Sequence, residues 1–168
     1  MRFTAVFYIV FLSVLLTGCK VNISLTGASI PENVSTVTIE YFENQAALTN
    51  PNFPQQMTEA LRDKFISQTR LQLRNTNGDI QFKGYITGYQ TAPVSVTGND
   101  QASLNRLTIT VAVEFQNTKD EKQNFKQSFT RFADFSASQN LSQVEQQLMT
   151  EITSQLVQDI FNRAFLDW

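Results

Sequence analysis

Few residues in this chain are able to do chemistry, and their types exclude more than they offer. No histidine occurs in 168 residues, and Cys19 is the sole cysteine. Histidine is the usual acid/base near neutral pH and the commonest metal ligand. Its absence rules out Ser-His-Asp triads, Cys-His dyads and His-based zinc sites. A lone thiol makes neither an intramolecular disulfide nor a CxxC redox pair. Glu59 and Asp63 stand four residues apart on the polar face of a predicted helix, a spacing that reads as solvated surface. Gly98-Asn99-Asp100 supplies a single acid, too few for a calcium loop. In Arg131-Phe132-Ala133-Asp134-Phe135 an arginine and an aspartate lie between aromatics, which reads as a strand end with an ion pair before it reads as a binding site. No phosphate loop, GxSxG elbow or dinucleotide fingerprint is present. The expectation is a protein that is not an enzyme and has no metal or cofactor.

The position of Cys19 gives the thiol another use. Arg2 precedes an apolar stretch from Ala5 to Leu16, interrupted only by Ser13. A transmembrane helix needs about 20 apolar residues, so this run is short for a span and suits the apolar region of a secretory signal peptide. A buried N-terminal helix is the alternative, and the small residues that end the run argue against it. Leu16-Thr17-Gly18-Cys19 resembles the bacterial lipobox. That resemblance implies cleavage between Gly18 and Cys19, a diacylglycerol on the Cys19 sulfur and an acylated new amino terminus. Each buried methylene contributes about 0.8 kcal/mol, and two acyl chains already anchor a protein stably. The covalent lipid on Cys19 would be the only non-protein group. Lys20-Val21 follows the cysteine, with no aspartate and no acidic run. By the sorting rules of such lipoproteins, this favours the periplasmic side of the outer membrane.

Losing residues 1–18 removes Arg2 and leaves 12 basic against 15 acidic side chains, a charge of −3. Nucleic-acid binders carry a basic excess or stripe, and neither is present. Only 17% of residues are charged, so Gln, Asn, Thr and Ser must form much of the surface, while 14 phenylalanines can fill a core.

The elements that hold these residues follow from hydrophobic period. Residues 34–42, VSTVTIEYF, read as a strand with Val37, Ile39 and Tyr41 on one face. Residues 54–68 read as a helix with Met57, Ala60, Leu61, Lys64 and Phe65 in phase. Asn77-Gly78 lies between two alternating runs, a hairpin signal; the first run, residues 71–74, is a minor strand. In the second, Ile80, Phe82, Gly84, Ile86 and Gly88 share a face, and the two glycines suggest a helix packed close to the sheet. Residues 104–117 are the clearest strand, with Leu107, Ile109, Val111, Val113 and Phe115 facing in. The next strand puts Phe125, Phe129, Ala133 and Phe135 in phase. Arg131 has the same parity, so either a bulge turns it away or it sits at the sheet margin with a carboxylate partner. Ser142 and Glu145 form a capping-box signature before a final helix with Val144, Leu148, Ile152, Leu156 and Ile160 in a stripe.

The order β-α-β-β-β-β-α predicts an α+β fold, a two-layer α/β sandwich. Its mixed or antiparallel sheet has about four to five strands, covered on one face by two helices. The other sheet face is rich in Thr, Gln and Tyr. Residues 1–18 are expected to be a removed signal peptide, 19–33 a lipidated tether and 34–168 one sandwich domain.

Taken together, GASIP (27–31), TVTIEYFEN (36–44), ITGY (86–89), LNRLTITV (104–111), SFTRFADF (128–135) and DIFNRAFLDW (159–168) resemble the LPS-assembly lipoprotein family LptE, in its Bacteroidetes form. The resemblance implies a non-enzymatic sandwich that sits inside the outer-membrane barrel LptD, as plug and assembly aid, and that in some relatives binds lipopolysaccharide. It implies a barrel partner, lipopolysaccharide as a second one, and a membrane anchor. Arg106 and Arg131 are the residues expected to contact the lumen or lipid phosphates, with residues 95–105 directed into the lumen. The alternative is another periplasmic binding or assembly lipoprotein, either a transporter auxiliary or a glycan binder. Glycan binding would need exposed aromatic platforms, and the aromatics here mostly fall in core phase.

Cys19→Ser is expected to abolish labelling of the chain by radioactive palmitate and to release it from membranes. Labelling at the unmodified level would refute a lipid on Cys19.

Overall fold

The computed structural model describes residues 30–94 and 103–165. The strands are β1 (Thr36–Ile39), β2 (Glu43–Asn44), β3 (Gln72–Leu73), β4 (Ile80–Val94), β5 (Leu104–Asn117) and β6 (Phe125–Ser136). The helices are α1 (Phe53–Gln68) and α2 (Leu141–Phe165). Together they make the expected two-layer α+β sandwich. The mixed sheet runs in the order β3-β1-β4-β5-β6, with β2 also paired to β4. β3, β1 and β2 are parallel to their neighbours, whereas β4, β5 and β6 form an antiparallel meander.

The core lies between one sheet face and the two helices. Leu107, Ile109, Val111, Val113 and Phe115 alternate inward from β5 and are buried, as their period predicts. Met57, Leu61 and Phe65 meet them from α1, and Leu148, Ile152, Leu156 and Ile160 from α2. A chain of aromatic rings crosses the layers. Phe65 lies 4.8 Å from Phe82 and 5.4 Å from Phe161, Phe82 lies 4.9 Å from Phe115, and Phe115 stacks on Phe125 at 5.2 Å. Such pairs add about 0.5–1.5 kcal/mol each beyond their buried area.

Three local expectations are corrected. The run 34–42 is not one strand. Ile39 pairs with Phe82 and Glu43 with Tyr85, so four residues of one edge span three of β4. The extra residue reverses the alternation, leaving Tyr41 exposed and Phe42 buried. Phe42 fills the space above Gly84, where an added Cβ would lie 2.2 Å from the ring. It is therefore a phenylalanine, not a helix, that needs this glycine. The backbone here is tied to α1: the Phe42 N–H donates to Thr58 Oγ1 at 3.0 Å, and Arg62 Nη2 donates to the Ile39 carbonyl at 2.8 Å. The second glycine, Gly88, follows a register shift after Ile86 and faces Thr110.

Asn77-Gly78 does not close a hairpin either, because β1 lies between β3 and β4 and all three are parallel. Asn77 has the left-handed φ of 55° that such a dipeptide allows. A Cβ on Gly78 would lie 2.7 Å from the Thr38 nitrogen, so the connection 74–79 presses directly on the β1 backbone. Thr36 and Thr38, on the face of β1 away from the helices, are buried beneath it. Lastly, the back-bond at the start of α2 is made by Gln143, whose Oε1 accepts from the Asn140 N–H at 3.2 Å. The box therefore starts two residues before the predicted Ser142.

Asp79 clamps the start of β1. One of its carboxylate oxygens accepts from the N–H and hydroxyl of Ser35 and from the N–H and hydroxyl of Thr36, at 2.8–3.1 Å. Lys119 Nζ lies 3.0 Å from the other oxygen, and the Asp79 carbonyl accepts from both Thr118 donors. The Ser35 N–H, then Lys119 and the Thr36 hydroxyl, hold the Asp79 carboxyl far below the ordinary carboxylate range, against the opposing effect of burial. A depressed pKa stabilises the fold above the unfolded value, near 3.9, and the contribution is lost as pH falls from there through the folded pKa. Asp79→Asn is expected to cost about 1–3 kcal/mol at pH 7. Urea titrations should show the gap between Asp79→Asn and the unmodified chain narrowing below about pH 4. A pH-independent gap would refute the clamp.

Candidate functional site

β2 pairs with β4 only as far as Ile86, and the register shift follows at once. Beyond it β4, β5 and β6 continue as a three-stranded extension that β1 and β2 do not reach. Arg106 and Arg131 both stand on this extension.

Arg106 projects from the open sheet face, opposite Asp134 on β6. Its Nε and Nη2 donate to the two carboxylate oxygens at 2.7 and 2.8 Å. The guanidinium carbon lies 3.6 Å from the centroid of the Phe132 ring, which is 46% exposed. Carboxylate and ring fix the guanidinium plane from two sides. The hydrogen bond from Arg106 draws the Asp134 carboxyl below its usual range and raises Arg106 in turn. The N–H groups not engaged by Asp134 remain able to donate to an anionic group from outside.

Arg131 is on the opposite face. β5 and β6 pair without a register shift, so no bulge turns it away. It reaches over the margin instead and donates from Nε and Nη2 to the two oxygens of Asp159 on α2, at 2.5 and 2.7 Å. Arg163 beside it donates to Gln127 Oε1 and lies 4.6 Å from the Phe125 ring. The two arginines are thus not brought together: one marks the open face and the other ties the edge strand to the helix. Asp134 and Arg131, neighbours in sequence, each pair elsewhere.

On the helix side of the extension, Leu48, Thr49 and Pro51, Tyr89 and Thr91, and Leu141 and Glu145 border a groove of about 610 Å³. The Tyr89 hydroxyl donates to Glu145 Oε1 at 2.5 Å, and its ring meets the edge of Phe53 at 6.1 Å. Burial first, then the Glu145 carboxylate, push the Tyr89 phenol well above its ordinary range, which keeps it neutral. Strict alternation from Ile80 places Tyr89 on the open face; the extra residue at Thr87 turns it inward. Glu145, expected in a cap, serves this bond instead. The sequence signal was the glycine next to Tyr89, which read as packing rather than as a break in register.

A larger groove of about 780 Å³ between the helices is lined by Gln56, Lys64, Gln146, Thr153 and Gln158 among others. Its groups bond across the helices, Gln146 to Gln56 at 3.2 Å and Lys64 to Gln158 at 2.6 Å. Glu59 and Asp63 line it and are exposed, as expected. Among the described residues no group of three Cys, Asp or Glu comes together to hold a metal ion. No described helix is long and apolar enough to cross a membrane. Gly18, Cys19 and Gly98–Asp100 lie outside the described residues.

Arg106→Gln is expected to change stability by no more than about 1 kcal/mol, as for an exposed ion pair. Tyr89→Phe should cost about 1–3 kcal/mol by leaving Glu145 unpartnered against the groove. Urea denaturation of the two variants checks the contrast, and equal losses would contradict it.

Comparison with known proteins places the chain. Among solved structures, a hypothetical protein of Chlamydia trachomatis aligns with a TM-score of 0.53 at 8% identity, over 78% of this chain and 98% of that one. Uncharacterized lipoprotein B of Nitrosomonas europaea aligns with a TM-score of 0.52 at 17% identity, over 86% and 88%. A Xanthomonas campestris protein aligns with a TM-score of 0.52 at 11% identity, over 81% and 91%. At these identities the likeness establishes the fold alone. No curated protein sequence matches. The family profile described as "LptE: Lipopolysaccharide-assembly" matches residues 34–164, which span both helices and all six strands but for the last residue of α2. The chain therefore belongs to the LptE lipopolysaccharide-assembly family.

Proposed function

We propose that this chain is the lipid-anchored, non-catalytic component of an outer-membrane lipopolysaccharide translocon, which plugs an LptD-like β-barrel and helps assemble it. The observation that carries the reading, beside family membership, is the chemistry of the open sheet face. Along β5 that face presents Arg106, Thr108, Thr110, Ala112, Glu114 and Gln116, and both charges are paired across to β6, Arg106 with Asp134 and Glu114 with Lys126 at 3.0 Å. A polar surface with its charges neutralised in pairs suits a barrel lumen, which is polar and wet. An apolar face there would aggregate, and an uncompensated charge would lose hydration on insertion.

In this reading residues 1–18 are removed, Cys19 carries the lipid, and residues 20–33 tether the sandwich to the periplasmic leaflet of the outer membrane. Tethering raises its effective concentration at the barrel. The extension that carries Arg106 enters the lumen, with residues 95–102 beyond it. Arg106 supplies a guanidinium already oriented by Asp134 and Phe132 for a lipid phosphate or a lumen carboxylate. Arg131 contributes by holding β6 against α2 at the surface that meets the wall.

Tagged full-length protein solubilised from outer membranes should co-purify with a β-barrel protein, identified by mass spectrometry. Arg106→Glu should lower the yield of that barrel several-fold at equal amounts of bait. Capture of an inner-membrane transport complex, with no barrel, would favour the transporter-auxiliary alternative and overturn the proposal.

A further inference from the structure

β6 is the terminal strand of the sheet, and its outer edge has no strand partner among the described residues. It is 12 residues long, contains neither proline nor glycine, and pairs with β5 without a bulge. Natural edge strands are usually shortened, bulged or interrupted by such residues, because a regular free edge templates another strand. The side chains that could overhang this edge are drawn inward instead: Arg131 lies on Asp159 and Gln127 on Arg163.

We infer that the β6 edge is a self-pairing surface on which a second copy of this chain adds its own β6 antiparallel, about a two-fold axis through Thr130. The register follows from charge and face. Only an even-numbered residue opposite an even-numbered residue keeps the polar faces of the two sheets continuous. With the axis at Thr130, Lys126 of each copy stands opposite Asp134 of the other, and the strands overlap over almost their full length. The intrachain pairs Lys83 with Glu114, Glu114 with Lys126, and Arg106 with Asp134 are already in register across β4, β5 and β6. Self-pairing joins them into a row of five alternating charges, Lys83, Glu114 and Lys126 of one copy followed by Asp134 and Arg106 of the other. Symmetry makes a second such row. Opposite charges face to face across strands are favourable, and like charges are not.

The axis itself is furnished in kind. Thr110 Oγ1 and Thr130 Oγ1 are 2.9 Å apart, and two Thr130 residues at the axis extend this into a row of four threonine hydroxyls. Exposed Phe132 comes to lie opposite Ser128, and half-buried Phe125 opposite Phe135. Moving the axis to Phe129 sets Lys126 opposite Phe132. Moving it to Arg131 sets Lys126 opposite Ser136. Both shifts lose the charge pairs, so one register is selected.

The test uses the full chain in detergent with Cys19→Ser, so that one engineered thiol is the only one. Thr130→Cys should convert more than half of the protein to a disulfide-linked dimer on oxidation with copper phenanthroline. Lys126→Cys alone and Asp134→Cys alone should stay monomeric, because like positions lie eight residues apart, about 26 Å along the strand. Mixing those two single variants should restore the cross-link that neither gives alone. Light scattering of the unmodified chain should show mass rising from monomer toward dimer with concentration, and circular dichroism checks that each variant is folded. A folded Thr130→Cys chain that remains monomeric overturns the proposal, as does cross-linking of Lys126→Cys to itself.

Discussion

The fold depends on holding a four-residue strand in the interior of a mixed sheet. β1 has β3 on one side and β4 on the other, all parallel, and it is buried on both faces. Four residues of ladder do not fix such a strand against the entropy of the segments on either side. The Asp79 carboxylate does so by gathering four donors from Ser35 and Thr36 while its own N–H returns a bond to Thr36 Oγ1 at 2.9 Å. The same residue, through its carbonyl and Lys119, holds the end of β5. One side chain thus ties the start of β1, the start of β4 and the end of β5 into one corner.

At the other end of β1, shape replaces charge. Phe42 closes over Gly84, and Thr58 and Arg62 of α1 satisfy backbone groups that leave the ladder there. The two ends together set where α1 lies, and through Phe65 the aromatic chain sets α2. Because β1 and β2 stop at Ile86, the far half of the meander is free of them. It is there, on a scaffold held from the opposite corner, that Arg106, Phe132 and the Tyr89–Glu145 groove are displayed. The region offered for contact is held rigidly at its base and lacks flanking strands at its tip.

Charge use on the sheet is consistent across levels. Arg106, Glu114, Lys126 and Asp134 all compensate one another, so the open face is polar without a strong field. Exposed pairs of this kind add little stability, roughly 0–1 kcal/mol each. Their effect is on what the face can meet: water, a polar wall, or a matching face. Specificity of that sort needs a repeated sign pattern more than binding strength.

The periodic parts were legible without coordinates. Alternation through β5 and the helical stripe from Leu148 to Ile160 each name one buried face, and burial follows them residue by residue. The lone cysteine and absent histidine removed most catalytic chemistry, and the acidic and basic groups were too few for a nucleic-acid surface. What stayed hidden depends on contacts distant in sequence. A one-residue irregularity between Ile39 and Glu43 and another at Thr87 invert which side chains face the core, and alternation extrapolates across both. Asn77-Gly78 announces a turn but not that another strand will pass between its arms. Arg131 and Arg106 look alike on paper, yet sheet parity and the position of α2 send them to opposite faces and opposite partners. Composition and period thus determined the layers and the class of molecule, because those follow from local geometry. Pairing order, the two irregularities and the partners of each charge were decided only by tertiary structure, because they arise where segments 40 residues apart compete for the same space.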